Sequence, residues 1–203
     1  MRYELATLQT RIGSVPRVVA GVERFVAAPD AKGRLVGCWT TDIGVLNQVL
    51  VLRAFKDDAE MMAERMRIYA TDSPFDAGAD IAEMTFDAYA AFPWVTPLKA
   101  GRHGSVYEFR TYRIKQGALD IISRNWEEAV PERTRLTPLA TFLYTLSGAP
   151  RITHIWPYAD LAERTRVRAE AVKSGRWPPK DTGPNLIDMV SIIAVPTAFS
   201  PLG

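Results

Sequence analysis

This chain of 203 residues has only one cysteine and two histidines, few thiols and imidazoles for metal or redox chemistry. A lone Cys38 cannot close an internal disulfide and fits a reducing compartment. Its neighbours in "VGCWTT" supply no cation to lower the thiol pKa, so it reads as a buried, inert side chain. His103 and His154 stand too far apart for a metal-ligand spacing, which argues against a zinc site, and no cysteine cluster exists for iron–sulfur chemistry. Charge of one sign is also missing. The 25 Lys and Arg residues are scattered among 23 acids, and nucleic-acid binding normally needs a concentrated basic face. No apolar run approaches the ~20 residues that span a bilayer. Strand-like sequence begins at Arg2 with no basic and apolar leader before it, so no signal peptide is expected and the predicted location is cytoplasmic. A "GxGxxG" after a strand, a "GxxxxGKS" and a "GxSxG" are all absent. Nucleotide binding by those routes and nucleophile-elbow hydrolysis therefore lack support.

What the chain does have is a second beginning. Tyr3-Glu4-Leu5-Ala6-Thr7 aligns with Tyr107-Glu108-Phe109-Arg110-Thr111, and without a gap Gly13 falls on Gly117. Each glycine follows a basic residue by two places and precedes a helix-like segment, as a tight strand-to-helix reversal requires. The pattern continues through "RLVGCWTT" and "PLATFLYTLS", then "NQVLVLRAF" and "RITHIWPY", with turn residues "DIG" and "GAP" between them. A second helix and a closing apolar run follow in each half, and Met84 aligns with Met189. Both halves thus read β-α-β-β-α-β. The expectation is an α+β protein with two tandem ferredoxin-like domains, residues 1–91 and 105–203, joined by a Pro-rich linker over 92–104. A four-stranded sheet with helices on one face leaves the other face bare. Two copies can cover each other as a pseudo-dimeric α/β barrel.

The second half carries a more specific signal. "VYEFRTYRIKQGALDIISRNW" resembles the "YELRTYxxKPG" signature that opens NIPSNAP domains, and "THIWPYADLAERTRVRAEAVKSGRW" is similar to a later segment of the same family. "FSPL" resembles its ending. The first half keeps "YEL" and the glycine but loses the Arg and the second Tyr, and Gln116 stands where the family usually has proline. The resemblance implies a dimeric α/β-barrel fold. That fold is shared with cofactor-free monooxygenases of antibiotic biosynthesis, haem-degrading enzymes, muconolactone isomerases and polyketide cyclases. Eukaryotic NIPSNAP proteins are described as vesicle- or mitochondria-associated. None of this fixes a reaction.

Strand alternation separates Tyr107, Phe109 and Thr111 from Glu108, Arg110 and Tyr112, and His154, Trp156 and Tyr158 from their neighbours. If helices cover the apolar face, the polar set points into the barrel and lines a pocket. The aligned first-half positions of Arg110, Tyr112 and His154 are Ala6, Leu8 and Val51. The polar and aromatic groups therefore concentrate in the second copy, which points to one working pocket there. His154 suits proton transfer or metal and haem ligation; the competing reading is a buried histidine held by a hydrogen bond. Tyr112 and Tyr158 could move protons, and Arg110 could stabilise developing negative charge. Arg164 and Arg168, i and i+4 on one helix with Arg176 beyond, could hold a carboxylate or phosphate or pair with Glu108. A solvated face of ordinary ion pairs competes with that reading. Trp156 would wall a substrate. Trp126, Met61, Met62 and Met66 read as core packing.

Two functions stay open on this basis. One is a protein that binds or transforms a small apolar or aromatic molecule by cofactor-independent acid–base chemistry of oxygenase, isomerase or cyclase type. The other is a non-catalytic interaction or scaffold protein. No cofactor is required, although haem needs only one axial ligand. The linked repeats supply one intramolecular pseudo-dimer and leave further homo-oligomerisation open.

Overall fold

A computed structural model describes residues 1–175 and 177–203. The described residues of the first repeat form β1 (Arg2–Thr10), α1 (Val15–Ala27), β2 (Arg34–Ile43), β3 (Gln48–Phe55), α2 (Asp58–Tyr69) and β4 (Ile81–Ala91). The second repeat runs β5 (Val106–Ile114), α3 (Leu119–Thr134), β6 (Thr141–Thr145), β7 (Arg151–Tyr158), α4 (Leu161–Lys173) and β8 (Leu186–Pro196). The strands join as β1-β3-β2-β8-β5-β7-β6-β4 and close on themselves. Each repeat supplies one antiparallel half. The halves meet edge to edge, β2 on β8 between Trp39↔Pro196 and Ile43↔Ile193, and β4 on β6 between Tyr89↔Thr145 and Ala91↔Leu143. Closure removes the open edges that an isolated four-stranded sheet would expose.

The duplication extends to register. Arg2 faces Phe55 as Val106 faces Tyr158, and Leu8 faces Met84 as Tyr112 faces Met189. Even the irregularity repeats: register shifts between Gln9 and Thr10 in one copy and between Arg113 and Ile114 in the other. Gly13 and Gly117 hold φ of 80° and 76°, the left-handed backbone that only glycine adopts freely. The second helix of each repeat opens with a capping box. Asp57 and Asp160 accept from the amides of Glu60 and Glu163, whose carboxylates reach back to the amides of Lys56 and Ala159. The connector over 92–104 is fastened along its length. Phe92 packs on Phe142 at 4.5 Å between ring centres, Leu98 donates to the Ala140 carbonyl, and Gly101 bridges Leu202. His103 is half-buried with a ring nitrogen 2.8 Å from the Lys99 carbonyl.

Three apolar layers result. The barrel interior is filled from both repeats by Leu5, Trp39, Leu52, Tyr107, Phe109 and Ile155, with the Trp39 ring 5.4 Å from Tyr107 and 5.0 Å from Phe109. Residues of this size stabilise by about 1.5–3 kcal/mol each when fully buried. Ala6, Val22, Phe25, Cys38 and Val51 pack the first repeat's sheet against its helices, and Ile122, Trp126, Phe142, Ile152 and Val167 pack the second. Burial pushes the Cys38 thiol up to about 12, partly offset by a hydrogen bond with Thr197, which keeps it inert. Of the three methionines on α2 only Met61 is core; Met62 and Met66 are 48% and 57% exposed. No helix among the described residues is long and apolar enough to cross a membrane.

One expectation is reversed. Glu108, Arg110, Tyr112, His154, Trp156 and Tyr158 do not face the barrel lumen. Their strand face lies under α3 and α4, and Tyr107 and Phe109 point inward instead. The inference that helices cover the apolar face fails because α4 itself delivers the counter-charges, Arg164 and Arg168, that allow the polar face to be covered.

Candidate functional site

Register assembles the site on the second sheet. Glu108 pairs with Trp156 of β7 and Ile193 of β8, Arg110 with His154 and Ser191, and Tyr112 with Ile152 and Met189. Directly opposed residues share a face, so these side chains converge in the layer beneath the helices. Arg164 and Arg168, one turn apart, descend from α4, and Arg133 comes from the last turn of α3. All eight side chains singled out in the sequence therefore fall in one cluster, though not where the barrel would hold them.

Glu108 is its hub. Fully buried, its Oε1 accepts from Arg110 Nη1 at 2.8 Å, Arg164 Nη2 at 2.6 Å and Ser191 Oγ at 2.8 Å, while Arg168 Nη1 lies 3.5 Å from Oε2. Burial alone would push this carboxyl up. The hydrogen bond from Arg164 and the charges of Arg110 and Arg168 outweigh burial and hold it at about 2. Arg110 also donates from Nε to the Tyr112 hydroxyl at 2.5 Å.

His154 is 1% exposed and caged by the rings of Tyr112, Trp126, Phe142 and Trp156, with centroids 4.7 to 6.0 Å away. Burial, then the charges of Arg110 and Arg133, drives its pKa well below the usual value, so the ring is neutral. Trp156 Nε1 donates to Nδ1 at 2.5 Å, which places the proton on Nε2, and Nε2 has no partner among the described residues. An axial haem ligand needs open space on its nitrogen, and rings occupy it here; the residues present do not fit that group. Burial also raises Tyr112 and Tyr158 above the ordinary phenol value, against the pull of the neighbouring arginines.

Arg133 completes the cluster and was not singled out in the sequence. It is 4% exposed, its Nη2 donates to the Tyr158 hydroxyl at 2.9 Å, and its guanidinium lies 4.5 Å from the Trp156 ring centre and 5.7 Å from that of Trp177. Beside it, between the C-terminal halves of α3 and α4, is a cavity of about 140 Å³. Ala129, Leu136, Ala171 and Trp177 line it with Arg133, and Glu132, Arg135, Glu170 and Ser174 complete the lining.

A NIPSNAP family model matches residues 3–94 and again 107–201 of this chain. The chain belongs to the NIPSNAP family. Protein NipSnap homolog of Dictyostelium discoideum is 27% identical over 181 residues, covering 86% of this chain and 77% of the relative. Protein NipSnap of Drosophila melanogaster is 27% identical over 218 residues, 98% of this chain and 78% of the relative. An anthrone oxidase-like protein of known structure superposes with a TM-score of 0.71 over 98% of this chain and 93% of its own, at 8% identity, which establishes likeness of fold alone.

Comparing the two NIPSNAP repeats shows what is structural and what is particular to the second. Glu4 pairs with Arg65 as Glu108 pairs with Arg168, so one glutamate–arginine link from first strand to second helix is common to both. In the first repeat the remaining cations of this layer are answered by an acid: Glu64, fully buried, takes the buried Arg53 and the half-buried Arg67. In the second, Val167 occupies the helix position of Glu64, and Arg133 has no carboxylate within ion-pair distance among the described residues. A sequence signal for Arg133 exists. The inward stripe of α3 runs Ile122, Trp126, Val130, Arg133, which places a cation where helical period demands an apolar residue. Arg176 lies outside the described residues.

Proposed function

We propose that this NIPSNAP protein binds a small, planar, largely apolar molecule, and does so between the two helices of its second repeat rather than in the barrel. The cavity beside Arg133 carries this reading. It adjoins an aromatic cluster of Trp156, Trp177 and Trp126, and its volume of about 140 Å³ suits a single ring or short chain. The protonation states support binding over proton transfer. Glu108 is locked ionised, His154 is neutral and caged, and Tyr112 and Tyr158 are held as phenols, so none of these four groups titrates near neutral pH. In this reading Glu108, Arg110, Arg164 and Arg168 brace α4 against the sheet and so fix where it stands beside α3.

Intrinsic fluorescence tests it, because Trp177 lines the cavity. Titration with a panel of single-ring and short-chain molecules should give saturable quenching by some of them, and Trp177→Ala should abolish it while the far-UV spectrum is retained. A flat response across the panel would overturn the proposal.

A further inference from the structure

We infer that the ligand of this cavity is a carboxylate, its negative end held by Arg133. This deepens the reading above and rests on it. The observation is an imbalance of charge. Arg133 is buried, it lines the cavity, and its Nη1 has no hydrogen-bond partner among the described residues. The partners it does have, the Tyr158 hydroxyl and the faces of Trp156 and Trp177, are neutral. A buried cation without a counter-charge is expensive, and proteins almost always pair one. Water could satisfy the idle N–H but would bring no carboxylate to a guanidinium on which Glu108 acts only from beyond ion-pair distance; an anion supplies both at once.

The other charged residues at the cavity leave this role to a ligand. Glu132 pairs with Arg135 at 3.1 Å and Glu170 with Arg166 at 3.0 Å, each with its own cation. The chemical class follows from number and shape. A single idle nitrogen on a guanidinium, whose planar fork matches a carboxylate, calls for one monoanionic group. A phosphate dianion would demand more donors than Arg133 has to spare. Ala129, Leu136, Ala171 and the Trp177 ring then take the apolar body.

The test uses the full chain with benzoate as probe and benzamide as its neutral counterpart, by calorimetric titration and by thermal shift. Benzoate should bind at least tenfold more tightly than benzamide. Arg133→Met should remove that preference and, having deleted a buried charge that has no ion-pair partner among the described residues, should raise the melting temperature of the ligand-free protein. Arg133→Lys, which keeps the charge without the fork, should retain part of the preference and serves where the methionine variant does not fold. Benzamide binding as tightly as benzoate would overturn the carboxylate inference and leave small-molecule binding standing. Failure of both probes, together with a flat response across the fluorescence panel, would overturn both.

Discussion

At the residue scale the second repeat is governed by Glu108, and its energetics follow from what surrounds it. Removing one partner of a buried ionic network leaves uncompensated charge, so Glu108→Gln, which strands Arg110, Arg164 and Arg168 together, should destabilise by about 3–5 kcal/mol in denaturant unfolding. The sign of the pH dependence is also fixed. The Glu108 pKa is depressed in the folded state, so its contribution is fully present above the ordinary carboxyl range and is lost as pH falls toward about 2. His154 acts in the same direction at higher pH. Its folded pKa lies well below 6.5, so the unfolded chain takes up a proton that the native ring refuses. Stability should therefore decline below pH 6.5 with a slope of up to about 1.4 kcal/mol per pH unit from this residue. Replacing His154→Phe should flatten the slope between pH 5 and 6.5; an unchanged slope would show that the ring titrates in the native state. Residue identity was the part of this site most visible in the sequence. Alternation grouped Glu108, Arg110 and Tyr112, and comparison of the copies picked out His154. The direction these groups face was not visible, because it depends on charges that arrive from α4, some fifty residues away.

At the scale of elements the two repeats are closely matched, and the matching makes equal effects at equivalent positions the natural expectation. Both Gly13 and Gly117 adopt φ near 80°, and a Cβ at either would meet nothing within 4 Å. Alanine there pays only the backbone penalty, about 1–2 kcal/mol, and the two substitutions should cost the same within error. Unequal losses in chemical denaturation would show that the turns differ in ways their dihedral angles conceal. Element order, strand limits and these turns were legible because each rests on local chemistry: a glycine where φ is positive, alternation where a strand is half-covered, aligned residues where a copy recurs. Helix α3 was legible as a helix but not as the source of a site residue. Arg133 sits at its C-terminal end, where a basic side chain also reads as a favourable complement to the helix dipole. Only its position on the inward stripe betrays it. The exposure of Met62 and Met66 likewise escaped composition, since α2 turns one methionine of three toward the sheet.

For the whole molecule, the closed barrel means that neither repeat finishes its own core. Tyr107, Phe109 and Ile155 are covered by Leu5, Trp39 and Leu52 of the other copy, and the strands at the join are hydrogen-bonded. Thermal unfolding should accordingly be one cooperative transition with coincident fluorescence and circular-dichroism midpoints. Residues 105–203 expressed alone should pair with themselves in light scattering, restoring the missing half through the β6 and β8 edges. Against this symmetry of framework stands an asymmetry of use: the first repeat closes its buried cations with Glu64, and the second leaves Arg133 open beside a cavity. Stoichiometry tests that contrast most directly. Calorimetric titration of the intact chain with benzoate should saturate at one molecule per chain, and Trp177→Ala should abolish the heat. Two equivalents per chain, or binding that survives Trp177→Ala, would contradict a single site in the second repeat.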